Sequence, residues 1–240
     1  MPVDVLAIAA HPDDVELGCS GTLAALAARG RRFGIVDLTR GEMGTRGDAA
    51  QRRKEAERSA EILGASLRET LDFGDGGLAT GREQELLLID LIRREKPRLI
   101  LTTYPEDRHP DHIRAGHLVT DASYYAGLRK IETAHAAHRP QQTLYFSGAY
   151  LHEPDFVVDV TTSIEKRRAA ILSYGSQFHD PGSREPETLL SQKTFLEIVE
   201  ARARHFGFLI GVEFGEGFIS KRPPRIDDLI AAFEGFEPGF

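Results

Sequence analysis

The sequence predicts an α/β fold: a Rossmann-like, doubly wound and mostly parallel sheet in a single domain that covers residues 1–240. Three observations support this prediction. Apolar strand-like segments alternate with amphipathic helical segments through the first 125 residues. The first of them, VDVLAIAA at residues 3–10, is apolar on both faces, which is typical of a strand covered by helices on both sides. The chain also contains no repeat, low-complexity tract or linker that would divide it.

The first half of the chain alternates strand and helix in a regular order. After the strand at 3–10, the apolar spacing predicts alternating helices and strands at 14–29, 33–39, 49–63, 70–73, 83–95 and 98–104. Asp48 is expected to cap the second helix, and Gly64 to follow its last turn. In the helix at 83–95, four side chains are expected to face the core: Leu87, Leu88, Leu91 and Ile92.

The second half of the chain has a less regular pattern. The expected elements are strands at 143–149 and 156–161, a helix at 162–174, a polar loop at 176–188 and a long helix at 191–206. The aromatic-rich stretch at 206–218 suits either the pocket or a subunit interface. The final segment, RPPRIDDLIAAFEGFEPGF, predicts a short helix and a tail.

The composition disfavours several classes of protein. The formal net charge of −7 argues against a nucleic-acid partner, since affinity for a phosphate backbone comes from clustered cations. No membrane partner is expected, because no apolar run approaches the roughly 20 residues of a membrane span. A single cysteine, Cys19, and the lack of a leader-like start favour a reducing, cytoplasmic location.

Two histidine and aspartate clusters follow two of the predicted strands. AHPDD at residues 10–14 follows the first strand, and RHPDH at 108–112 follows the strand at 98–104. Because the carboxyl ends of parallel strands lie at one edge of a sheet, both clusters are expected at the same ligand-binding edge. Either cluster alone is also consistent with a helix N-cap, where Asp is favoured and Pro is common nearby. The two together, each after a buried strand, favour a functional site.

The residue types in these clusters predict a metal site with one open position. His11, Asp14 and His112 are the expected ligands, and this set suits Zn²⁺, with Fe²⁺ as the alternative. Three protein ligands with a fourth position left to water is the arrangement of catalytic zinc rather than structural zinc.

Three further residues of the clusters are expected to be catalytic. Asp13 lies beside the metal and can accept a proton from water. His109 can protonate a leaving amine or stabilise an oxyanion. Asp111 is expected to hold His109 in its protonated and correctly oriented form.

The segments AHPDDVELGCSGTLA and HPDHIRAGH resemble the LmbE or PIG-L superfamily of metal-dependent N-deacetylases, and the similarity extends over nearly the whole chain. The resemblance implies removal of an acetyl group from an N-acetylglucosamine unit on a carrier. It also implies that His11, Asp14 and His112 hold the metal and that Asp13 is the general base.

Later segments are similar to the bacillithiol-biosynthesis branch of this superfamily: RGEMGTRGDAAQRRKEA (40–56), FVVDVT (156–161), SYGSQFHD (173–180) and EARARHFGFLIGVEFGEGF (200–218). This likeness implies hydrolysis of N-acetyl-α-D-glucosaminyl L-malate, although Lys54 stands where the branch has an acidic residue. Two alternatives are deacetylation of another N-acetylglucosamine-containing substrate, such as a chitooligosaccharide, and amide hydrolysis of a thiol conjugate. A third is a non-catalytic sugar- or nucleotide-binding module.

An anionic amino-sugar conjugate calls for cations near the metal, and arginine binds carboxylates bidentately. Arg46 in the glycine-rich loop, Arg52 one turn further on and Arg108 beside the second cluster are the candidate substrate-binding residues. Adjacent helical residues cannot both face one site, and the resemblance favours Arg52 over Arg53. The alternative for this segment is a solvated helix face with charge pairs at helical spacing. The resemblance also implies a homo-oligomer, either a trimer or a hexamer.

Overall fold

The computed structural model describes residues 2–234. Its centre is a seven-stranded sheet with the strand order β3-β2-β1-β4-β5-β7-β6. The strands are β1 (Val5–Ala9), β2 (Phe33–Asp37), β3 (Leu67–Thr70), β4 (Leu99–Thr103), β5 (Gln142–Phe146), β6 (Phe156–Asp159) and β7 (Gly215–Ser220). The pairs among β1 to β5 are all parallel, and β7 lies antiparallel between β5 and β6. The predicted α/β class with a mostly parallel sheet is therefore confirmed.

Helices cover both faces of this sheet. They are α1 (Asp14–Ala28), α2 (Ala49–Leu63), α3 (Arg82–Glu95), α4 (Pro110–Tyr125), α5 (Ile164–Leu172), α6 (Phe195–Leu209) and α7 (Leu229–Ala232). Side chains of β1 alternate between the two layers, as the period of a strand requires. Leu6 and Ile8 pack with α3 and α4, whereas Ala7 and its neighbours pack with α1, α2 and α5. All five residues of β1 are buried, which explains why its sequence is apolar throughout.

The strand order places the functional edge. From β1 the chain moves outward through β2 to β3, and then crosses back to place β4 on the other side of β1. The loops after β1 and β4 therefore diverge at a topological switch point, where open α/β sheets bind ligands. Both histidine and aspartate clusters lie in these two loops.

Most predicted elements of the first half are present, with two corrections. The side chain of Asp48 accepts a hydrogen bond from Gln51 N, and Gly64 ends α2 with a φ of 79°, as expected. The strand predicted at 70–73 is instead β3 (Leu67–Thr70), because its pairing with β2 ends at Thr70 and Asp72 has a positive φ of 55°. Leu87 is 53% exposed, since the buried arc of α3 is centred on Leu88 and Ile92.

In the second half, strand β7 was not predicted by the hydrophobic pattern. Its sequence, GEGFIS, lacks the alternation of a typical strand. Two of its positions must be glycine because α6 lies close against the strand: a Cβ atom on Gly217 would come within 2.8 Å of the Phe206 ring. The predicted long helix begins later than expected, at Phe195. The short terminal helix is α7, and residues 235–240 of the predicted tail lie outside the described residues.

No helix in the described part of the chain has the length and apolar character needed to cross a bilayer.

Candidate metal and catalytic site

The loops after β1 and β4 bring the three expected metal ligands together. One carboxylate oxygen of Asp14, Oδ1, lies 3.1 Å from His112 Nε2, and the other, Oδ2, lies 3.5 Å from His11 Nδ1. Asp14 is fixed by its own loop, because Oδ2 also accepts a hydrogen bond from His11 N at 2.9 Å. One carboxylate thus faces a nitrogen of each of two imidazole rings, which is a donor set that zinc prefers.

Asp13 adopts a strained backbone conformation at the start of α1. Its φ is 111°, in a region that non-glycine residues rarely occupy, and its side chain makes no N-cap hydrogen bond. The carboxylate instead lies 3.0 Å from Arg52 Nη2. Burial raises the pKa of Asp13 to about 7 against the opposing effect of Arg52. The side chain of Asp13 therefore does not act as the N-cap that the alternative interpretation of this cluster predicts.

The structure places Arg52 against Asp13, and its role in substrate binding stays a prediction. Arg52 does face inward, as expected, while Arg53 forms an exposed ion pair with Glu57. However, the guanidinium of Arg52 is buried and engaged by the protein itself: it donates to Pro12 O, Gly41 O and the carboxylate of Asp13. The terminal nitrogen Nη2 is thus committed to Pro12 O and Asp13, and Nη1 donates to Gly41 O.

His109 caps helix α4 through its ring. Its Nδ1 accepts a hydrogen bond of 3.2 Å from Asp111 N. In the neutral ring the proton therefore resides on Nε2, which becomes the donor. The ring packs 4.8 Å from those of His11 and His112, centroid to centroid. Burial, followed by the charges of these two histidines, lowers the pKa of His109.

The side chain of Asp111 lies elsewhere than predicted. Its carboxylate accepts a hydrogen bond from Gly76 N at 2.7 Å and pairs with Arg114 at 3.2 Å. Its Oδ2 lies 3.6 Å from His11 Nε2, so it faces His11 rather than the ring of His109. Only its main chain contributes to holding His109. The expected role of orienting a protonated His109 is not supported, because the carboxylate is committed to the other side of the cluster.

Two aspartates that contact the expected ligands were missed by the sequence reasoning. Asp107 Oδ1 lies 3.2 Å from His112 Nδ1 and accepts from His109 N, and Oδ2 accepts from Ala149 N. Asp75 Oδ1 lies 3.0 Å from His11 Nε2. An available signal was that each acidic residue lies after the carboxyl end of a parallel strand, β4 or β3.

The carboxylates around the two expected histidine ligands control their protonation. Burial lowers the pKa of His112, but Asp14 and Asp107 outweigh this effect and raise it to about 10. The contact with His112 and the hydrogen bonds from main-chain donors lower the pKa of Asp107 to about 2, although burial raises it. The interaction with the His11 imidazole, whose Nε2 lies 3.6 Å away, is the largest of the effects that lower the pKa of Asp111, to about 2. These carboxylates are therefore ionised at neutral pH.

The two other predicted substrate-binding arginines have different surroundings. Arg46 is buried, its Nε donates to Ser176 O at 3.0 Å, and the exposed carboxylate of Glu185 lies 3.8 Å from the same nitrogen. Arg108 is exposed beside His109, and no hydrogen bond or ion pair within residues 2–234 engages it. Of the three arginines, Arg108 alone leaves its guanidinium free among the residues that the structure describes.

A second group of buried polar and charged side chains comes from α1, β2, β3 and the segment after α5. We call it the Glu16 network, and it consists of Glu16, Asp37, Arg68 and Tyr174. Arg68 binds both oxygens of Asp37, at 2.9 and 2.8 Å, and also contacts Glu16. Tyr174 donates to the same oxygen of Glu16 at 3.1 Å. Each of these side chains is buried.

The donor atoms on the functional edge are spaced as a metal ion requires. Among the described residues, the ligand atoms of His11, His109 and His112 lie within 4.8 Å of one another, and so do those of His11, Asp75 and Asp111. Asp14 lies against two of these histidines at the distances given above. The chemistry and spacing of the set fit a divalent transition metal.

The fold and the site together define a class of protein. Its members are Rossmann-like α/β proteins with a histidine and aspartate cluster at the switch point of the sheet. A family model described as "PIG-L: GlcNAc-PI de-N-acetylase" matches residues 6–123, which include both clusters. The diacetylchitobiose deacetylase of Thermococcus kodakarensis is 35% identical over 186 residues, covering 72% of this chain and 70% of that protein. The chain belongs to the PIG-L/LmbE superfamily of deacetylases, and it is a hydrolase of that type.

Two further similarities extend the comparison. The conserved protein TT1542 of Thermus thermophilus superposes with a TM-score of 0.86 at 39% identity, over 93% of this chain and 97% of that one. The 4-oxalmesaconate hydratase of Pseudomonas putida is 29% identical over 198 residues, covering 72% of this chain and 74% of that enzyme. The chain is therefore similar in sequence to relatives whose named reactions differ.

Proposed function

We propose that this protein is a metal-dependent hydrolase that removes the N-acetyl group from a small N-acetylglucosamine-containing substrate. The observation that carries the proposal is the arrangement of Asp14 between His11 and His112, with Asp13 next to it and backed by Arg52. This arrangement combines a place for a metal with a carboxylate that takes no part in the His–Asp–His contacts.

His11, Asp14 and His112 would hold the metal, with Zn²⁺ as the first choice and Fe²⁺ as the alternative. When bound, such an ion supplies Lewis acidity, which polarises a carbonyl group and acidifies water. The predicted ligand roles rest on the donor set and on the contacts of Asp14 with His11 and His112.

The remaining chemistry belongs to side chains of this chain. Asp13 accepts the proton of the water that attacks the acetyl carbonyl carbon. His109, whose Nδ1 is engaged by Asp111 N, presents Nε2–H to the oxygen on which negative charge develops. The C–N bond then breaks, the amine nitrogen takes up the proton held by Asp13, and the products are acetate and the free amino sugar.

Arg52 fits this scheme as the partner of Asp13 rather than as a substrate ligand. Its contacts with Pro12 O and Gly41 O fix the guanidinium, and the guanidinium fixes the carboxylate. Asp13 itself sits on a backbone with positive φ, so its direction is set from both ends.

As the substrate, we favour a chitooligosaccharide such as N,N'-diacetylchitobiose. This choice is supported by the T. kodakarensis relative. N-acetyl-α-D-glucosaminyl L-malate, the substrate of bacillithiol biosynthesis, is the second candidate. The exposed guanidinium of Arg108 beside His109 supports it, because malate brings two carboxylates.

The test is acetate release from diacetylchitobiose, N-acetylglucosaminyl malate and free N-acetylglucosamine, measured side by side after chelation and after restoring Zn²⁺. We expect zinc-dependent release, fastest from diacetylchitobiose. A strong preference for the malate conjugate would reverse the order of the two candidates. No release from any substrate by zinc-loaded protein would contradict the proposed deacetylation.

Addition of water to a carbon–carbon double bond is the competing reaction, and the P. putida relative is the reason to consider it. Hydration of 4-oxalmesaconate by zinc-loaded protein, without acetate release from the three amino sugars, would favour this alternative. The trimeric or hexameric assembly and the cytoplasmic location stay predictions, and the first is checked by light scattering of the purified chain.

A further inference from the structure

The imidazole of His11 is held on both of its nitrogen-bearing sides. Its Nδ1 faces Asp14 Oδ2 at 3.5 Å, on the side where the metal is proposed. Its Nε2 points the opposite way and lies 3.0 Å from Asp75 Oδ1. A ring that donates its Nε2 proton to a carboxylate keeps a lone pair on Nδ1, so the contact with Asp75 selects the tautomer that can bind a metal through Nδ1.

Asp75 is itself fixed by the main chain of the glycine-rich loop. Its second oxygen, Oδ2, accepts a hydrogen bond of 2.9 Å from Met43 N. Its own main-chain nitrogen donates to Glu42 Oε1 at 2.9 Å. The side chain is only 10% exposed, although it belongs to a loop at the edge of the sheet. The carboxylate thus has one oxygen for His11 and one for the loop after β2.

Asp111 completes the support on the same side of the ring. Its Oδ2 lies 3.6 Å from His11 Nε2, beyond normal hydrogen-bond distance, and accepts a closer hydrogen bond of 2.7 Å from Gly76 N. Gly76 is the residue after Asp75, so the two carboxylates and the ring are linked through one short segment. Asp75 accepts the hydrogen bond from the imidazole, and Asp111 anchors the segment that carries Asp75.

We propose that Asp75 is a positioning residue for the metal: it fixes the tautomer and the direction of His11 and connects this ligand to the glycine-rich loop at Met43. The inference rests on the proposed function, because it takes His11 to be a metal ligand. Asp75 touches neither the proposed metal position nor the reacting atoms, and it acts through the imidazole. Loss of such a partner typically weakens metal binding by about 10- to 100-fold.

The main experiment measures the zinc dissociation constant of the full chain by competition with a chromophoric chelator. Asp75→Asn removes the charge and retains the shape, and we expect zinc binding to weaken by about 10- to 100-fold. Asp72→Asn is the matched control: it makes the same chemical change three residues earlier in the same loop. The side chain of Asp72 is 55% exposed and pairs with Arg40, away from His11. We expect its zinc affinity to equal that of the wild type.

A second pair of variants covers the case in which Asp75→Asn does not fold, as judged by circular dichroism. Asp75→Glu and Asp75→Gln have the same length and differ in charge. We expect Asp75→Glu to bind zinc more tightly than Asp75→Gln. For every folded variant, kcat and KM are measured at saturating zinc, where we expect kcat to recover most of the wild-type value.

The outcomes separate this inference from the proposed function. A wild-type chain that binds no zinc contradicts the metal site itself, and with it both proposals. Tight binding by the wild type with equal affinities for Asp75→Asn and Asp72→Asn overturns the positioning role alone. A second equivalent of zinc that binds the wild type and is lost in Asp75→Asn would also overturn it, because the group His11, Asp75 and Asp111 would then be a second metal site.

Discussion

Two groups of polar and charged side chains each include one residue of α1, Asp14 in the first and Glu16 in the second, and they differ in chemistry. The first, which we call the edge cluster, comprises His11, Asp13, Asp14, His109 and His112. The second is the Glu16 network. In the Glu16 network the carboxylates meet a guanidinium, and Arg68 uses its fork to bind both oxygens of Asp37. In the edge cluster the carboxylate of Asp14 meets two imidazole nitrogens.

The difference shows that buried charge alone does not mark a functional site. A guanidinium is permanently protonated and has no lone pair to offer a metal, so in the Glu16 network it serves the carboxylates as an ion-pair partner. An imidazole facing the same carboxylate can exchange its proton for a metal ion. The edge cluster also lies where the loops of β1 and β4 diverge, whereas Glu16 accepts a hydrogen bond from Ser59 of α2 and Tyr174 follows α5.

The strongest test of this contrast is Asp13→Asn in the edge cluster. Asn has the size of Asp and tolerates positive φ, so the strained backbone is retained while the proton acceptor is lost. We expect kcat for acetate release to fall by about 10²- to 10⁴-fold with zinc stoichiometry unchanged. Asp14→Asn is the control and should lose zinc. Zinc loss by Asp13→Asn together with zinc retention by Asp14→Asn would reverse the assigned roles.

In the Glu16 network, Arg68→Met should act on stability rather than on chemistry. It leaves the carboxylates of Glu16 and Asp37 buried without their cation, and breaking a buried pair in this way costs about 3–5 kcal/mol. Urea unfolding of the zinc-free chain measures this loss. Arg58→Met is the control, since it removes an exposed pair with Glu61 and should cost less than about 1 kcal/mol. Equal losses in the two variants would contradict the interpretation of the network as a buried structural pair.

The fold and the edge cluster were largely predictable because each depends on local pattern. A strand buried on both faces must be apolar throughout, as β1 is, and a polar cluster directly after such a strand falls at the ligand-binding edge. The missed strand β7 lacks such a pattern, since its glycines serve the close approach of α6.

The contacts of single side chains across loops were not predictable. Arg52 was expected inside the site from its helix face, but its pairing with Asp13 depends on how α2 lies against the loop after β1. Asp75 and Asp111 meet His11 only because the loop after β3 and the first turn of α4 converge at Gly76. Sequence spacing does not encode the direction of a carboxylate in a loop of this kind.

Arg108 and Arg68 differ in the same way as the two groups. The guanidinium of Arg108 has no partner among the described residues, whereas that of Arg68 is fully engaged. Replacing Arg108 with Gln should lower the preference for an anionic over a neutral amino sugar, measured as a ratio of kcat/KM values. An exposed charge pair contributes up to about 1 kcal/mol, so we expect a change of roughly fivefold. The control, Arg53→Gln, removes another exposed cation, which pairs with Glu57. An unchanged ratio in Arg108→Gln would argue against an anionic substrate group at this position.

The smallest expected effect concerns Asp90 and His135, an imidazole–carboxylate pair like those of the edge cluster but partly exposed, with 31% and 39% of the side chains accessible. Although burial opposes it, hydrogen bonding from His135 lowers the pKa of Asp90 below its ordinary value of 3.8. The folded chain therefore binds this proton less readily than the unfolded chain. The pair stabilises the fold above about pH 4, and this stabilisation is lost as the pH falls through the folded-state pKa of Asp90. We expect the difference in unfolding free energy between the wild type and Asp90→Asn, both zinc-free, to shrink toward zero on acidification. A difference that stays constant with pH would show that the pair contributes through shape rather than charge. Solvent exposure would then have removed the electrostatic stabilisation that we expect the buried edge cluster to retain.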